Sequence, residues 1–132
     1  MRRLHLLFGL VGIAVFLGTG VYMARGFPGL YGTNEALRFM YRANHIYLLL
    51  ASLVNLALGI YLRPALPGWR SKLAAAGSFL LLHAPVILVV AFFVEVPKAS
   101  PDRAMTGIGI FVTLLGLLMH LPNARAQRQH QS

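Results

Sequence analysis

The chain has 132 residues, 58% of them hydrophobic and 11% charged, with a mean hydropathy of +0.68; that is too little polar surface to coat a soluble globule, so it belongs in a bilayer. The absence of cysteine excludes structural disulfides, thiolate metal sites and dithiol redox chemistry, including quinone-coupled disulfide formation. A net charge of +9 suggests nucleic acid in a soluble protein, but here the basic residues flank apolar runs and meet lipid headgroups instead, which argues against nucleic acid as a partner.

About 20 apolar residues cross the roughly 30 Å of hydrocarbon in a bilayer. The first such run is Leu4 to Ala24. Arg2 and Arg3 before it suit a signal peptide, but the run lacks a small-x-small cleavage pattern at its end, so a retained helix is expected. His5, Gly9, Gly12 and Thr19 fall on one of its faces at helical spacing. Turn chemistry in "RGFPGLYGTNEA" (Arg25 to Ala36) then interrupts it.

The second run, Tyr41 to Leu62, is entered through "RFMYRANHIYLLL". Residues seven apart lie about 20° out of register on a helix. Arg38, His45, Ser52 and Gly59 therefore form one stripe, flanked by Arg42 and Asn55. Polar and small residues of membrane helices turn toward neighbouring helices, so this stripe is expected to face inward.

After "RPALPGWRSK" comes the third run, Leu73 to Val96. It places His83 near the middle of the membrane, two residues before Pro85. Proline lacks a donor and frees a carbonyl one turn earlier. An ionisable group at that depth is a functional hypothesis by default. The plainer alternative is a neutral imidazole bonded to a freed carbonyl, or to Ser52 or Asn55. Glu95 is the only acid inside or bordering these runs, and it is expected to pair with Arg38 or Arg42 across the bundle.

"PKASPDR" leads to the fourth run, Ala104 to Leu121, which carries Thr106, Gly109, Thr113, Gly116 and His120 on one face. If the first and fourth helices are antiparallel neighbours, Gly9 and Gly12 approach Thr113 and Gly116. His5 and His120 then share one boundary. Plain helix packing accounts for these glycines. The tail "NARAQRQHQS" (Asn123 to Ser132) has no apolar face and is expected to be mobile, with His130 solvated. Residues 1–122 thus form the four-helix domain.

With the N-terminus inside, the cytoplasmic side collects Arg2, Arg3, Arg63, Arg70, Lys72, Arg125 and Arg128. The other side receives Arg25, Arg38, Arg42, Lys98 and Arg103. The excess favours cytoplasmic termini. Tyr22, Phe27, Tyr31, Phe39, Tyr41 and Tyr47 are expected to ring the outer interface, and Tyr61 and Trp69 the inner one. The expected fold is all-α: an integral membrane four-helix up-down bundle with both termini cytoplasmic.

Three functions fit. Neutral imidazoles ligate haem iron, so His5, His120, His83 and His45 are candidate ligands of haem b, with Arg38 and Arg42 as propionate partners. Axial nitrogens on one iron lie about 4 Å apart. His45 and His83 differ by roughly 10 Å in depth at 1.5 Å per residue and should not share an iron, whereas His5 and His120 match. The segments "RANHIYLLL" and "HAPVIL" resemble the histidine-bearing helices of haem-containing respiratory membrane proteins, which implies electron transfer or sensing. In length and layout the chain resembles the small uncharacterised four-helix proteins of bacterial inner membranes, which implies that location and no activity.

Transport of a small solute is the second function, but the first helix lacks the acidic residue on which small four-helix exporters depend. The third is an accessory role: assisting a larger membrane complex, or assembling with copies of itself through the small-residue faces. The sequence contains no acid–base pair, activated nucleophile or phosphate loop, so the accessory role requires least of it and turnover by the isolated chain is the least supported. Ser52, Asn55, Gly59 and Glu95 are expected to be structural.

Overall fold

The computed structural model describes residues 1–62, 67–99 and 102–129, with side chains described through Ala124. Arg63 and His130 lie outside the described residues, and Arg125 and Arg128 outside the described side chains. The described elements are α1 (Arg2–Gly26), α2 (Glu35–Tyr61), α3 (Trp69–Val94), a single 3-10 turn (Val96–Lys98) and α4 (Ala104–Gln129). Each of the four α-helices is long and apolar enough to span a membrane.

The helix ends depart from the expected runs for identifiable reasons. α2 begins at Glu35 rather than Tyr41, because the Asn34 side chain accepts a hydrogen bond from the Leu37 amide at 3.0 Å. That cap satisfies an orphan donor of the first turn, and Glu35 complements the positive end of the helix dipole. α3 begins after Gly68, whose φ of 94° is a conformation that side chains disfavour. α4 continues through Pro122 to Gln129, seven residues into the polar tail; the Ala, Arg and Gln residues there are good helix formers.

Helix pairing follows the glycines. Gly9 packs on Leu56, Gly12 on Ser52 and Gly59 on Leu6, so α1 and α2 run antiparallel with backbones in close approach. Gly77 packs on Gly116 and Gly109 on Leu88, which sets α3 against α4 in the same way. The two pairs join through α2 and α3: Leu48 and Ala51 pack on Ala84 and Leu88, while Tyr41 packs on Phe92 and Val96.

The backbones of α1 and α4 stay more than 8 Å apart among the described residues. The small-residue faces of these helices are buried as expected, but against α2 and α3 rather than against each other. The missing Cβ permits the close approach, because each glycine admits the backbone or side chain of the helix adjacent in sequence.

Tyr41 departs from the expected outer ring of aromatic residues. It is 2% exposed, edge-on to Phe92 at 5.2 Å, and belongs to the core rather than to an interfacial ring. Phe39, Tyr61 and Trp69 do project outward.

Candidate functional site

At the end of the molecule that carries the N-terminus, all four helices contribute to one polar cluster. Its hub is Asn55 on α2, which is fully buried. Pro85 has no amide hydrogen to give to the Leu81 carbonyl one turn earlier. The Asn55 Nδ2 donates to that carbonyl at 2.7 Å and to the Ala51 carbonyl at 2.9 Å. With both amide hydrogens engaged, Asn55 Oδ1 is the acceptor that faces His5 Nδ1 at 2.7 Å.

This fixes the tautomer of His5. Nδ1 carries the proton and donates to Asn55, so Nε2 presents a lone pair. The Nε2 atom is buried and has no hydrogen-bond partner. His120 of α4 lies beside it, with ring centroids 6.4 Å apart and planes 77° apart. His120 Nε2 is 3.4 Å from the Ser78 hydroxyl of α3, a long contact that holds the ring loosely. Arg2 Nε donates to the Gly59 carbonyl at 3.0 Å, placing a cation at the negative end of α2.

The other two histidines among the described residues stand apart from this pair. The Thr19 hydroxyl donates to the Phe16 carbonyl at 2.9 Å and so accepts from His45 Nδ1 at 2.9 Å. The His45 ring stacks on Phe16 at 3.9 Å, within the seam between α1 and α2. His83 points away from the bundle: its ring is exposed, packs on Phe79 at 4.2 Å and donates from Nδ1 to the Phe79 carbonyl at 2.8 Å. Asn55, not His83, fills the carbonyl that Pro85 frees. His83→Ala should therefore change the melting temperature in detergent by little, corresponding to less than about 0.5 kcal/mol as for other exposed substitutions.

The opposite end is organised by Glu95. Its carboxylate accepts from the amides of Met105 and Thr106 at 2.8 and 2.9 Å and from the Thr106 hydroxyl at 2.5 Å. A residue at the end of α3 thus caps the N-terminus of α4, where four amides lack intrahelical partners. Asn44 Nδ2 reaches Thr106 Oγ1 at 3.1 Å from α2, and Arg103 bridges the same hydroxyl to the Met40 carbonyl at 3.3 and 3.4 Å.

The expected ion pair between Glu95 and Arg38 or Arg42 is not the one formed. Arg38 pairs instead with Glu35 at 3.5 Å, on a largely exposed surface where such pairs contribute little, and Arg42 is exposed. Glu95→Gln, which removes the charge from a helix cap, should cost about 1–2 kcal/mol in detergent unfolding. Arg38→Gln should cost under about 0.5 kcal/mol, and the two effects should add, because the groups share no contact.

The proposed haem groups are only partly brought together. His5 and His120 meet, but Arg38 lies 17 residues (55 − 38) before Asn55 on α2, about 25 Å from the pair at 1.5 Å per residue. The glycine faces of α1 and α4 are filled by Ser52, Leu56, Leu81 and Leu88 of the neighbouring helices. Among the described residues, no group of three His, Asp or Glu is placed to hold a metal ion.

Asn44 and Ser78 escaped the sequence reading. Asn44 lies on a second stripe of α2 (Tyr41, Asn44, Leu48, Ala51 and Asn55), beside the stripe of His45 and Ser52. Asn44 and Ser52, one from each stripe, are both buried because α2 packs on neighbours on two sides. The 3.6-residue spacing from Tyr41 to Asn55 carried the signal. Comparisons with protein-family models, with curated proteins and with solved structures find no match.

Proposed function

We propose that this chain is an accessory or assembly component of a larger membrane complex, set in a bacterial inner membrane as an up-down bundle with both termini cytoplasmic. The observation that carries this reading is the division of polar and apolar surface. Asn55, Glu95, Thr106 and Asn44 are turned inward and bond other parts of the bundle, and the buried Ser52 hydroxyl bonds the Leu48 carbonyl of its own helix. Leu10, Leu17, Phe79, Phe111, Leu114 and Leu118 face outward, offering apolar helix faces to lipid and to other transmembrane helices.

The test is native electrophoresis of the protein, expressed at its natural level and extracted in mild detergent. The accessory role predicts co-migration with an assembly much heavier than the chain and its micelle, together with loss of that assembly when the chain is deleted. Migration as a single chain, with the other membrane complexes unchanged on deletion, contradicts it.

A further inference from the structure

We propose that His5 and His120 form a two-coordinate site for a soft monovalent metal ion, cuprous copper, independent of any partner protein. Its basis is the buried, unpartnered Nε2 of His5, whose proton is committed to Nδ1 by Asn55. A buried acceptor without a donor is costly, and a metal ion satisfies it as a hydrogen bond would.

The ring separation of the pair matches one bridging ion better than one hydrogen bond. With metal–nitrogen bonds near 2 Å and a ring nitrogen about 1.2 Å from its centroid, two imidazoles on opposite sides of an ion have centroids about 6 Å apart. A direct imidazole–imidazole hydrogen bond brings them to about 5 Å. The observed separation is 6.4 Å. Imidazoles on a common axis can be rotated about it freely, so the 77° between the planes is compatible with shared ligation. The 3.4 Å contact to Ser78 restrains the His120 ring only weakly.

Charge and ligand number select the ion. The cluster of His5, His120, Asn55 and Ser78 contains no carboxylate, so a divalent ion would bring two uncompensated charges into an apolar interior. Zinc also requires about four ligands, whereas no third His, Asp or Glu joins the pair among the described residues. Cuprous copper carries one charge, accepts imidazole and is content with two collinear ligands. A porphyrin would have to displace side chains that now fill the glycine faces.

The experiment titrates purified protein in detergent, without oxygen, against a chromophoric bicinchoninate complex of Cu(I). One equivalent should be withdrawn per chain. His5→Gln and His120→Leu should each weaken binding by about tenfold or more, and His83→Ala should leave it unchanged. Because His5 belongs to the core, wild-type protein supplies an independent reading: excess Cu(I) should raise its melting temperature and Zn(II) should not. The proposal is overturned if wild-type protein neither withdraws copper nor gains stability, if a variant lacking both histidines binds equally well, or if stoichiometric haem accompanies the protein when haem precursor is supplied during expression.

Discussion

Asn55→Ala should lower the stability of the protein in detergent by about 3 kcal/mol, the largest effect expected of any single polar substitution. Interhelical hydrogen bonds in membrane proteins are individually modest, averaging about 0.6 kcal/mol. Asn55 exceeds that figure because its loss strands two other groups. The His5 Nδ1–H and the Leu81 carbonyl both lose their partner in a buried setting. Pro85 supplies the control. Pro85→Ala restores an amide hydrogen for the Leu81 carbonyl, so Asn55→Ala should cost about 1 kcal/mol less in that background. Equal costs in the two backgrounds would show that Asn55 does not serve as the substitute donor.

Gly59→Ala should be nearly as damaging, while Gly18→Ala should be neutral or slightly stabilising. A Cβ on Gly59 would lie 2.6 Å from the Leu6 amide nitrogen, and one on Gly9 would lie 2.6 Å from that of Leu56. Backbone cannot rotate away as a side chain can, so the helices must separate, at a cost of about 2–3 kcal/mol. Around Gly18 a Cβ meets nothing within 4 Å, leaving only the helix-propensity gain of up to about 1 kcal/mol. Thermal unfolding of the two variants in one detergent measures the contrast. A Gly59→Ala variant as stable as wild type would remove close backbone approach from the explanation of the α1–α2 pair.

These glycines also show how far the sequence could be read. Spacing alone identified His5, Gly9, Gly12 and Thr19 as one face, and they are the buried residues of α1. It could not say which helix that face meets, because a missing Cβ fits any close neighbour equally well. α3 presented the opposite difficulty. Its apolar residues surround His83 on all sides, from Leu80 to Val90, so no periodicity indicated that the imidazole points outward.

The two ends differed in the same way. Asn55 was legible because a polar residue deep in an apolar run has few places to face. The cap that Glu95 places on α4 was not, because it depends on where the α3–α4 turn returns the chain. A charge at a helix end suggests a salt bridge as readily as a cap. Here the amides of Met105 and Thr106 supplied the donors instead of Arg38.

The most direct test of the account is the sidedness of its connections, and a chain without cysteine allows each position to be labelled alone. Thr33→Cys, Ser71→Cys and Lys98→Cys place a thiol at exposed sites between α1 and α2, at the start of α3 and after α3. In intact cells a membrane-impermeant maleimide should label Thr33→Cys and Lys98→Cys, and should reach Ser71→Cys only after permeabilisation. Labelling of all three in intact cells, or of Ser71→Cys alone, would contradict a four-helix crossing with cytoplasmic termini.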